Sequence, residues 1–216
     1  IDVNDFNLKD TITCGQIFRF KEECDSSYTV ILSDRVVNLK IENNKLHVES
    51  SNMDKIEDVI RNYFDLDFDY NSINSELLLI DSENKKMIDA CTGLKMINEP
   101  RFEVIISYIL SANNGVPQIR NALDNISRKF GKKVMFKNTE YYLFPSVYDL
   151  KNVTIEDYRN CKAGFRDKYI YEMVNKILNK EFDLDLIDTM NSNDALEYLM
   201  NNKGIGEKVA SCILLF

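Results

Sequence analysis

The sequence predicts an α+β fold, with an N-terminal domain of antiparallel sheet plus helices (residues 1–98) packed on a C-terminal all-helical domain (residues 99–216). Three observations carry that reading. Apolar residues recur with a period of two from residue 17 to 51, the period becomes helical soon after, and beyond Glu99-Pro100 almost every apolar stripe has helical spacing. With 216 residues and 44% apolar content, the chain can bury a sizeable core as one large domain or two small ones.

The strands come first. Ile17, Phe18 and Phe20, then Tyr28 to Leu32, Val36 to Ile41 and Leu46 to Val48 are β-rich runs separated by Asp25-Ser26-Ser27, Ser33-Asp34 and Asn43-Asn44. That spacing makes an antiparallel meander. Met53, Ile56, Val59, Ile60 and Phe64 then fall at helical spacing, with Ser51 or Asn52 as N-cap. Residues 101–111 are apolar nearly all round, which suits a helix at the centre of a core. Val116, Ile119, Leu123, Ile126 and Phe130 form a one-sided stripe whose Pro117 sits in the tolerant first turn. Pro145 precedes a short helix, and Thr154-Ile155-Glu156-Asp157 reads as the capped start of the next. Ile170, Met173, Val174 and Ile177 mark another, and Ala195, Leu196, Leu199 and Met200 mark the helix that runs into a glycine-bearing turn. There is no internal repeat and no low-complexity linker.

Composition narrows the chemistry. Cys14, Cys24, Cys91, Cys161 and Cys212 are odd in number and widely spaced, so neither a disulfide framework nor a CxxC metal site is suggested, and most are expected to be buried thiols. The single histidine, His47, lies in an alternating segment as a surface or half-buried strand residue, leaving Ser-His and zinc chemistry without their usual groups. No apolar run approaches the ~20 residues that cross a bilayer, and nothing at the start reads as a signal peptide, so no membrane partner is expected. The first residue is Ile1, and the chain stops in the apolar run Cys212-Ile213-Leu214-Leu215-Phe216, so both ends read as cut from something longer.

A formal net charge of −8 argues against a generic nucleic-acid coat, because lysine and arginine supply most phosphate binding. A grip on nucleic acid then requires focused basic groups, for which Lys132-Lys133, Arg166 with Lys168, and Lys203 with Lys208 are the candidates.

The most informative segment is Lys203-Gly204-Ile205-Gly206-Glu207-Lys208-Val209-Ala210, a tight turn between two apolar helices. Its glycines permit positive φ and close approach of another backbone, and the unpaired amides opening the second helix make an anion site that suits a phosphodiester. The same glycines also fit an ordinary packed helix corner. Lys208 tips the balance, since a cation in the first turn opposes the helix dipole and should lose its proton more readily, as an amine nucleophile must. Cys212 lies one turn on, on the same face, either as a thiolate partner to that lysine or as a small core residue.

The run from Lys203 to Cys212 resembles the hairpin of the 8-oxoguanine DNA glycosylase/lyases, members of the helix-hairpin-helix DNA glycosylase superfamily. Three further stretches match in order: Cys14-Gly15-Gln16-Ile17-Phe18-Arg19, similar to the family's Gly-Gln-x-Phe-Arg signature; Ser111-Ala112-Asn113-Asn114, similar to its Asn-rich helix junction; and Gly164-Phe165-Arg166-Asp167-Lys168-Tyr169, similar to its Gly-aromatic-Arg-x-x-Tyr loop. The resemblance spans essentially the whole chain.

It implies a bifunctional enzyme that excises 8-oxoguanine from duplex DNA. Lys208 would attack C1′, expel the base and hold the sugar as a Schiff base that undergoes β-elimination. Gly15 is similar to the glycine whose carbonyl accepts the N7 proton that only the oxidised base carries; without the match it reads as a plain turn glycine. Cys212 and Phe216 fall among the family's lesion-recognition positions. Phe165 resembles the aromatic wedge that fills the stack when a base is flipped, although an aromatic there also fits a core. Asn113 and Arg166 resemble groups that meet the orphaned partner base, though either also fits as a local cap or surface charge. Gln118 stands where eukaryotic members carry a second base-reading arginine, so strict preference for cytosine opposite the lesion is not implied. Lys203, Gly204, Ile205 and Gly206 would hold the DNA backbone. The resemblance further implies a monomer that needs no cofactor, with a monovalent cation at the hairpin carbonyls, working in the cytoplasm at the nucleoid of a bacterium. The family's catalytic aspartate would lie beyond Phe216. Two other readings remain open: a related glycosylase with another lesion preference, and a non-catalytic hairpin module that only holds phosphates.

Overall fold

The computed structural model describes residues 1–216, which form two compact units, Ile1–Thr29 with Val37–Asn98, and Val30–Val36 with Glu99–Phe216. The segment 30–36, read above as part of the N-terminal sheet domain, falls in the second unit.

In the first unit, helix α1 (Leu8–Thr13) starts where Asn7 Oδ1 accepts the Asp10 amide at 3.0 Å, a side-chain N-cap. Along the chain the meander follows as β1 (Phe20–Glu22), β2 (Tyr28–Ile31), β3 (Val36–Glu42) and β4 (Lys45–Ser50), in sheet order β1-β2-β3-β4, with residues 30, 31 and 36 of it counted in the second unit. Strands β3 and β4 pair antiparallel with Leu39 opposite Val48 and Ile41 opposite Leu46. Asn43 and Asn44 both take positive φ (51° and 59°), the type I′ geometry whose twist matches a two-residue hairpin. His47 sits exposed on β4, as the alternation predicts.

Helix α2 (Ile56–Tyr63) begins later than its expected cap. Asn52 spends its side chain on a turn, accepting the Asp54 amide at 3.0 Å, so the helix starts behind Lys55, whose φ of 48° leaves the first turn without a side-chain cap. Helices were expected beside the sheet, but the sequence pattern locates neither α3 (Tyr70–Ile80) nor α4 (Asn84–Ala90). Neither buries a residue fully, and Leu79 and Ile80 are exposed, so the apolar run that ends α3 gives no one-sided stripe.

The second unit is organised around α5 (Arg101–Ser111), whose residues 103–110 are all buried, and which packs on α6 (Val116–Phe130), α8 (Asp167–Leu178) and α10 (Glu207–Leu215). Ile105, Ile109, Leu110, Leu123, Ile126, Ile170, Leu199 and Ile213 have no measurable exposure, and each such side chain contributes ~1.5–3 kcal/mol by leaving water. Helix α7 (Ile155–Asn160) opens with the expected capping box, Thr154 Oγ1 accepting the Asp157 amide and the Asp157 carboxylate accepting the Thr154 amide at 3.0 Å. Helix α9 (Ser192–Met200) leads into the glycine turn.

Two expectations fail here. Residues 147–152 form turns instead of a helix after Pro145, with Asp149 accepting from the Ser146 amide at 2.9 Å and from its hydroxyl at 2.6 Å. In addition, strands β5 (Lys133–Phe136) and β6 (Thr139–Tyr142) form an antiparallel hairpin where only helices were read. Lys137 and Asn138, at φ 48° and 60°, supply its type I′ turn, and Phe136 and Leu143 pack with Val36, Ile31 and Tyr141 in a small separate core.

Candidate active site

The turn between α9 and α10 has a specific cause. Gly204 takes φ +86°, and a Cβ there would come within 2.6 Å of the Tyr169 ring, so both backbone conformation and packing demand glycine. Gly206 is different. Its backbone is extended (φ −91°, ψ 177°), and a Cβ would meet nothing in the protein within 4 Å, so neither reason applies to it. Gly206 is the N-cap of α10 and offers no side chain, leaving the amides of the first turn without a side-chain cap on an open face. That is a surface on which a phosphate can sit against bare backbone.

Lys208 projects from this first turn. It is exposed, and no carboxylate lies within ion-pair distance of its ammonium. The contrast with its neighbours is informative: Lys203 Nζ is 3.5 Å from Glu172, and Lys176 Nζ donates to Asn202 Oδ1 at 2.8 Å. Lys208 alone among them keeps a free amine. Together with Glu207, Ser211, Cys212 and Leu215 it lines an open groove of about 430 Å³ along one face of α10. Cys212, a half-buried free thiol, is therefore brought beside Lys208, as the one-turn spacing implied. Phe216 lies at the far end of the helix with its ring stacked on buried Tyr108, centroids 5.8 Å apart and 16° from parallel.

The loop ahead of α8 carries Phe165 on a 3₁₀ turn, Gly164–Arg166, where Gly164 has φ +62°. Phe165 is 57% exposed, so it is a loop-tip aromatic and not a core residue. Asn113 follows α5 in the left-handed region (φ 50°), exposed, while Asn114 caps locally, its Nδ2 donating to the Leu110 carbonyl at 3.0 Å. Gln118 is exposed in the first turn of α6.

Arg166, which the resemblance implied as a reader of the orphaned base, is engaged with backbone in this structure. It is only 6% exposed; its Nε donates to the Ala112 carbonyl at 2.7 Å and an Nη to the Asn113 carbonyl at 2.8 Å, and burial lowers the guanidinium from its ordinary value. The carbonyls ending α5 lack helical partners, and a planar fork of donors satisfies two of them at once. In this structure Arg166 thus fixes the turn that presents Asn113.

In the first unit Gly15 is exposed at φ +102°, between α1 and β1. Sequence reasoning gave the next residue no role, yet Gln16 is 3% exposed and fully engaged. Its Oε1 accepts the Ile97 amide at 2.8 Å, and its Nε2 donates to the carbonyls of Lys95 at 2.8 Å and Thr11 at 3.3 Å. The loop bearing Gly15 is thereby tied to segment 95–97, and the only sequence signal was its place in the Gly-Gln-x-Phe-Arg run.

The cysteine expectation is corrected: Cys14, Cys24 and Cys91 are exposed, and only Cys161 is fully buried. No group of three or more His, Cys, Asp or Glu residues is arranged to hold a metal ion. No helix is long and apolar enough to cross a membrane.

Residues 1–105 match the family model described as the 8-oxoguanine DNA glycosylase N-terminal domain. The whole chain is similar to the apo crystal structure of the Clostridium acetobutylicum 8-oxoguanine glycosylase/lyase, with 38% identity, a TM-score of 0.94 and 75% of that chain covered. The same protein in complex with duplex DNA containing cytosine opposite 8-oxoG gives 38% identity and a TM-score of 0.91, covering 98% of this chain and 72% of that one. A probable N-glycosylase/DNA lyase of Methanothermobacter thermautotrophicus is 32% identical over 181 residues, 74% of this chain and 57% of the relative. The chain spans between 47% and 59% of the length of the curated relatives it matches.

Proposed function

The chain belongs to the 8-oxoguanine DNA glycosylase/lyase family, and from that premise we propose that it acts as a bifunctional DNA glycosylase/AP lyase removing 8-oxoguanine from duplex DNA in base excision repair. The observation that carries this reading is Lys208, an exposed amine without an ionic partner on the wall of an open groove, at the start of a helix whose first amides have no side-chain cap.

The reaction follows from that amine. Its lone pair forms a bond to C1′ of the damaged nucleotide while the bond to the base breaks and the base leaves with a proton. The adduct opens to an imine, C2′ gives up a proton, and the 3′ phosphate departs by β-elimination. Glycosidic cleavage inside a stacked helix is inaccessible, so the nucleotide must first be flipped, a step that costs a few kcal/mol. Exposed Phe165 is suited to enter the vacated stack, with Asn113 and Gln118 facing the orphaned base. Gly15 is proposed to accept the N7–H of 8-oxoguanine; guanine would set a lone pair against that carbonyl and leave it unpaired. Cys212 and Phe216 are proposed to line the lesion side of the same groove, and Lys203, Gly204, Ile205 and Gly206 to hold the backbone. A monovalent cation at the hairpin carbonyls would share them with the Ile205 amide, which donates to the Asn202 carbonyl at 3.1 Å, and the lysine chemistry does not pass through it. The reading places the protein on chromosomal DNA in a bacterial cytoplasm, as a monomer.

Borohydride trapping on 8-oxoguanine duplex DNA tests it. A covalent adduct forms with the full-length protein and is abolished by Lys208→Gln. No adduct, together with equal binding to damaged and undamaged duplex, would identify a phosphate-holding module instead.

A further inference from the structure

Three parts of the second unit have been read as facing DNA: the Asn113 turn, the Phe165 tip and the 203–206 hairpin. They are far apart in sequence, yet the short segment 165–169 touches all three. Arg166 donates to the Ala112 and Asn113 carbonyls. Its guanidinium lies 4.3 Å from the centroid of the Phe165 ring. Tyr169, in the first turn of α8, supplies the remaining contacts. On one side its ring meets Phe165 edge to face, centroids 6.4 Å apart at 84°. On the other it lies so tightly against Gly204 that a Cβ there would come within 2.6 Å of its Cγ and Cδ2. No other aromatic ring meets Phe165, which is otherwise more than half exposed.

We propose that Tyr169 is a positioning residue that couples the wedge to the hairpin: its ring rests on the glycine that shapes the phosphate-binding turn and props the aromatic that enters the base stack. This rests on the reading of Phe165 as wedge and of the hairpin as DNA grip. The physical logic is that a half-exposed aromatic on a 3₁₀ tip has many rotamers, and insertion requires one. An edge-to-face ring contact biases such an equilibrium by about two- to tenfold. Because the same ring packs against Gly204, engagement of the turn by a phosphate fixes the prop, and the fixed prop orders the wedge. Both contacts are made by the ring and its Cβ, atoms that Phe shares with Tyr.

The test uses the full-length protein, with two readouts: anisotropy on an undamaged duplex for the grip, and stopped-flow fluorescence of 2-aminopurine beside the lesion for flipping. Tyr169→Ala is expected to weaken the grip about three- to tenfold and to slow flipping about tenfold, while Tyr169→Phe stays within about twofold in both. Phe165→Ala slows flipping, and the two alanine variants combined slow flipping less than the product of their separate effects. Gly204→Ala, which drives a methyl into the Tyr169 ring, perturbs the coupling from the other end and slows flipping as well as weakening the grip. It keeps the question open to measurement if Tyr169→Ala does not fold. Coupling is overturned if Tyr169→Ala or Gly204→Ala changes the grip with flipping intact, or if Tyr169→Phe loses the grip, which would make the hydroxyl a phosphate ligand. Normal flipping by Phe165→Ala would instead remove the wedge reading itself.

Discussion

Gln16→Ala removes the side-chain amide that ties the Gly15 loop to segment 95–97, and its effect can be worked from the contacts. Two groups lose their partners outright: the Ile97 amide, held at 2.8 Å, and the Lys95 carbonyl, also at 2.8 Å, both in residues at most 5% exposed. The weaker bond to the Thr11 carbonyl at 3.3 Å goes with them. A buried donor or acceptor left unsatisfied costs about 1–3 kcal/mol, so the pair costs about 2–6 kcal/mol, a large share of the ~5–15 kcal/mol that holds a domain together. For a chain of this size that corresponds to a fall in Tm of roughly 10 °C. Thermal unfolding by circular dichroism measures the total, and native-state hydrogen exchange at Ile97 locates it. Gln16→Glu keeps the acceptor for Ile97 but turns a carboxylate oxygen toward two carbonyls. Only its protonated form can donate, so the folded state raises the pKa of the new acid. The variant is then least damaged below the ordinary glutamate pKa of about 4.3 and loses stability as pH rises through the raised value. A Gln16→Ala protein within about 2 °C of wild type, with the Ile97 amide equally protected, would refute the reasoning.

Two titrations follow from other sites. Asp157 is held well below the usual carboxylate range, first by the Lys129 ammonium at 2.5 Å and then by Thr154, so its contribution to α7 is complete above about pH 4 and is lost as pH falls further. Lys129→Gln therefore flattens acid unfolding followed by far-UV circular dichroism, and an unchanged acid limb contradicts this. Tyr70 is pushed up to about 12, mainly by burial and then by its hydrogen bond to Asp65, so the folded unit keeps the phenol protonated. Its contribution is present below the ordinary tyrosine pKa of about 10 and is lost between there and 12; Tyr70→Phe should abolish that alkaline component of the tyrosinate absorbance titration.

The sequence made the buried helices legible because burial leaves a periodic trace. Residues 103–110 had to be apolar or paired on every side, and Thr154 with Asp157 announced its own helix start. Elements that bury little leave no such trace. Helices α3 and α4 have no fully buried residue, and the run Leu77-Leu78-Leu79-Ile80 is apolar without a hidden face, so it matches no template. The β5–β6 hairpin did carry a signal, alternation about a Lys137-Asn138 turn, but the helices on either side overshadowed it. At the candidate site, Lys208 and Cys212 were legible because both sit on one regular helix. The environments of Arg166 and Gln16 were not: the tightest partners of those side chains are backbone carbonyls and an amide 53 to 81 residues away, and backbone groups carry no sequence identity.

The net charge of −8 remains the strongest objection to a DNA-binding role, and the structure turns it into a measurable quantity. Of the basic groups expected to focus a grip, Lys133 is bonded to Glu140, Lys203 lies 3.5 Å from Glu172, and Arg166 is buried against carbonyls. Lys132, Lys168 and Lys208 remain unpaired among the six. Each phosphate neutralised by a cation adds about −0.9 to the slope of log K against log salt, so two or three contacts give a slope of about −2 to −3. Raising salt from 50 to 200 mM then weakens binding only roughly ten- to fortyfold, against the ~10³–10⁵ lost by proteins that make six to ten such contacts. Under the proposed reading the remainder of the grip comes from backbone amides at the start of α10, which bring no cation to displace counterions from the DNA and so persist in high salt. Anisotropy titrations on an undamaged duplex across that range give the slope directly. A value steeper than about −5 would mean that surface cations carry the binding and that the bare amides of the hairpin do not.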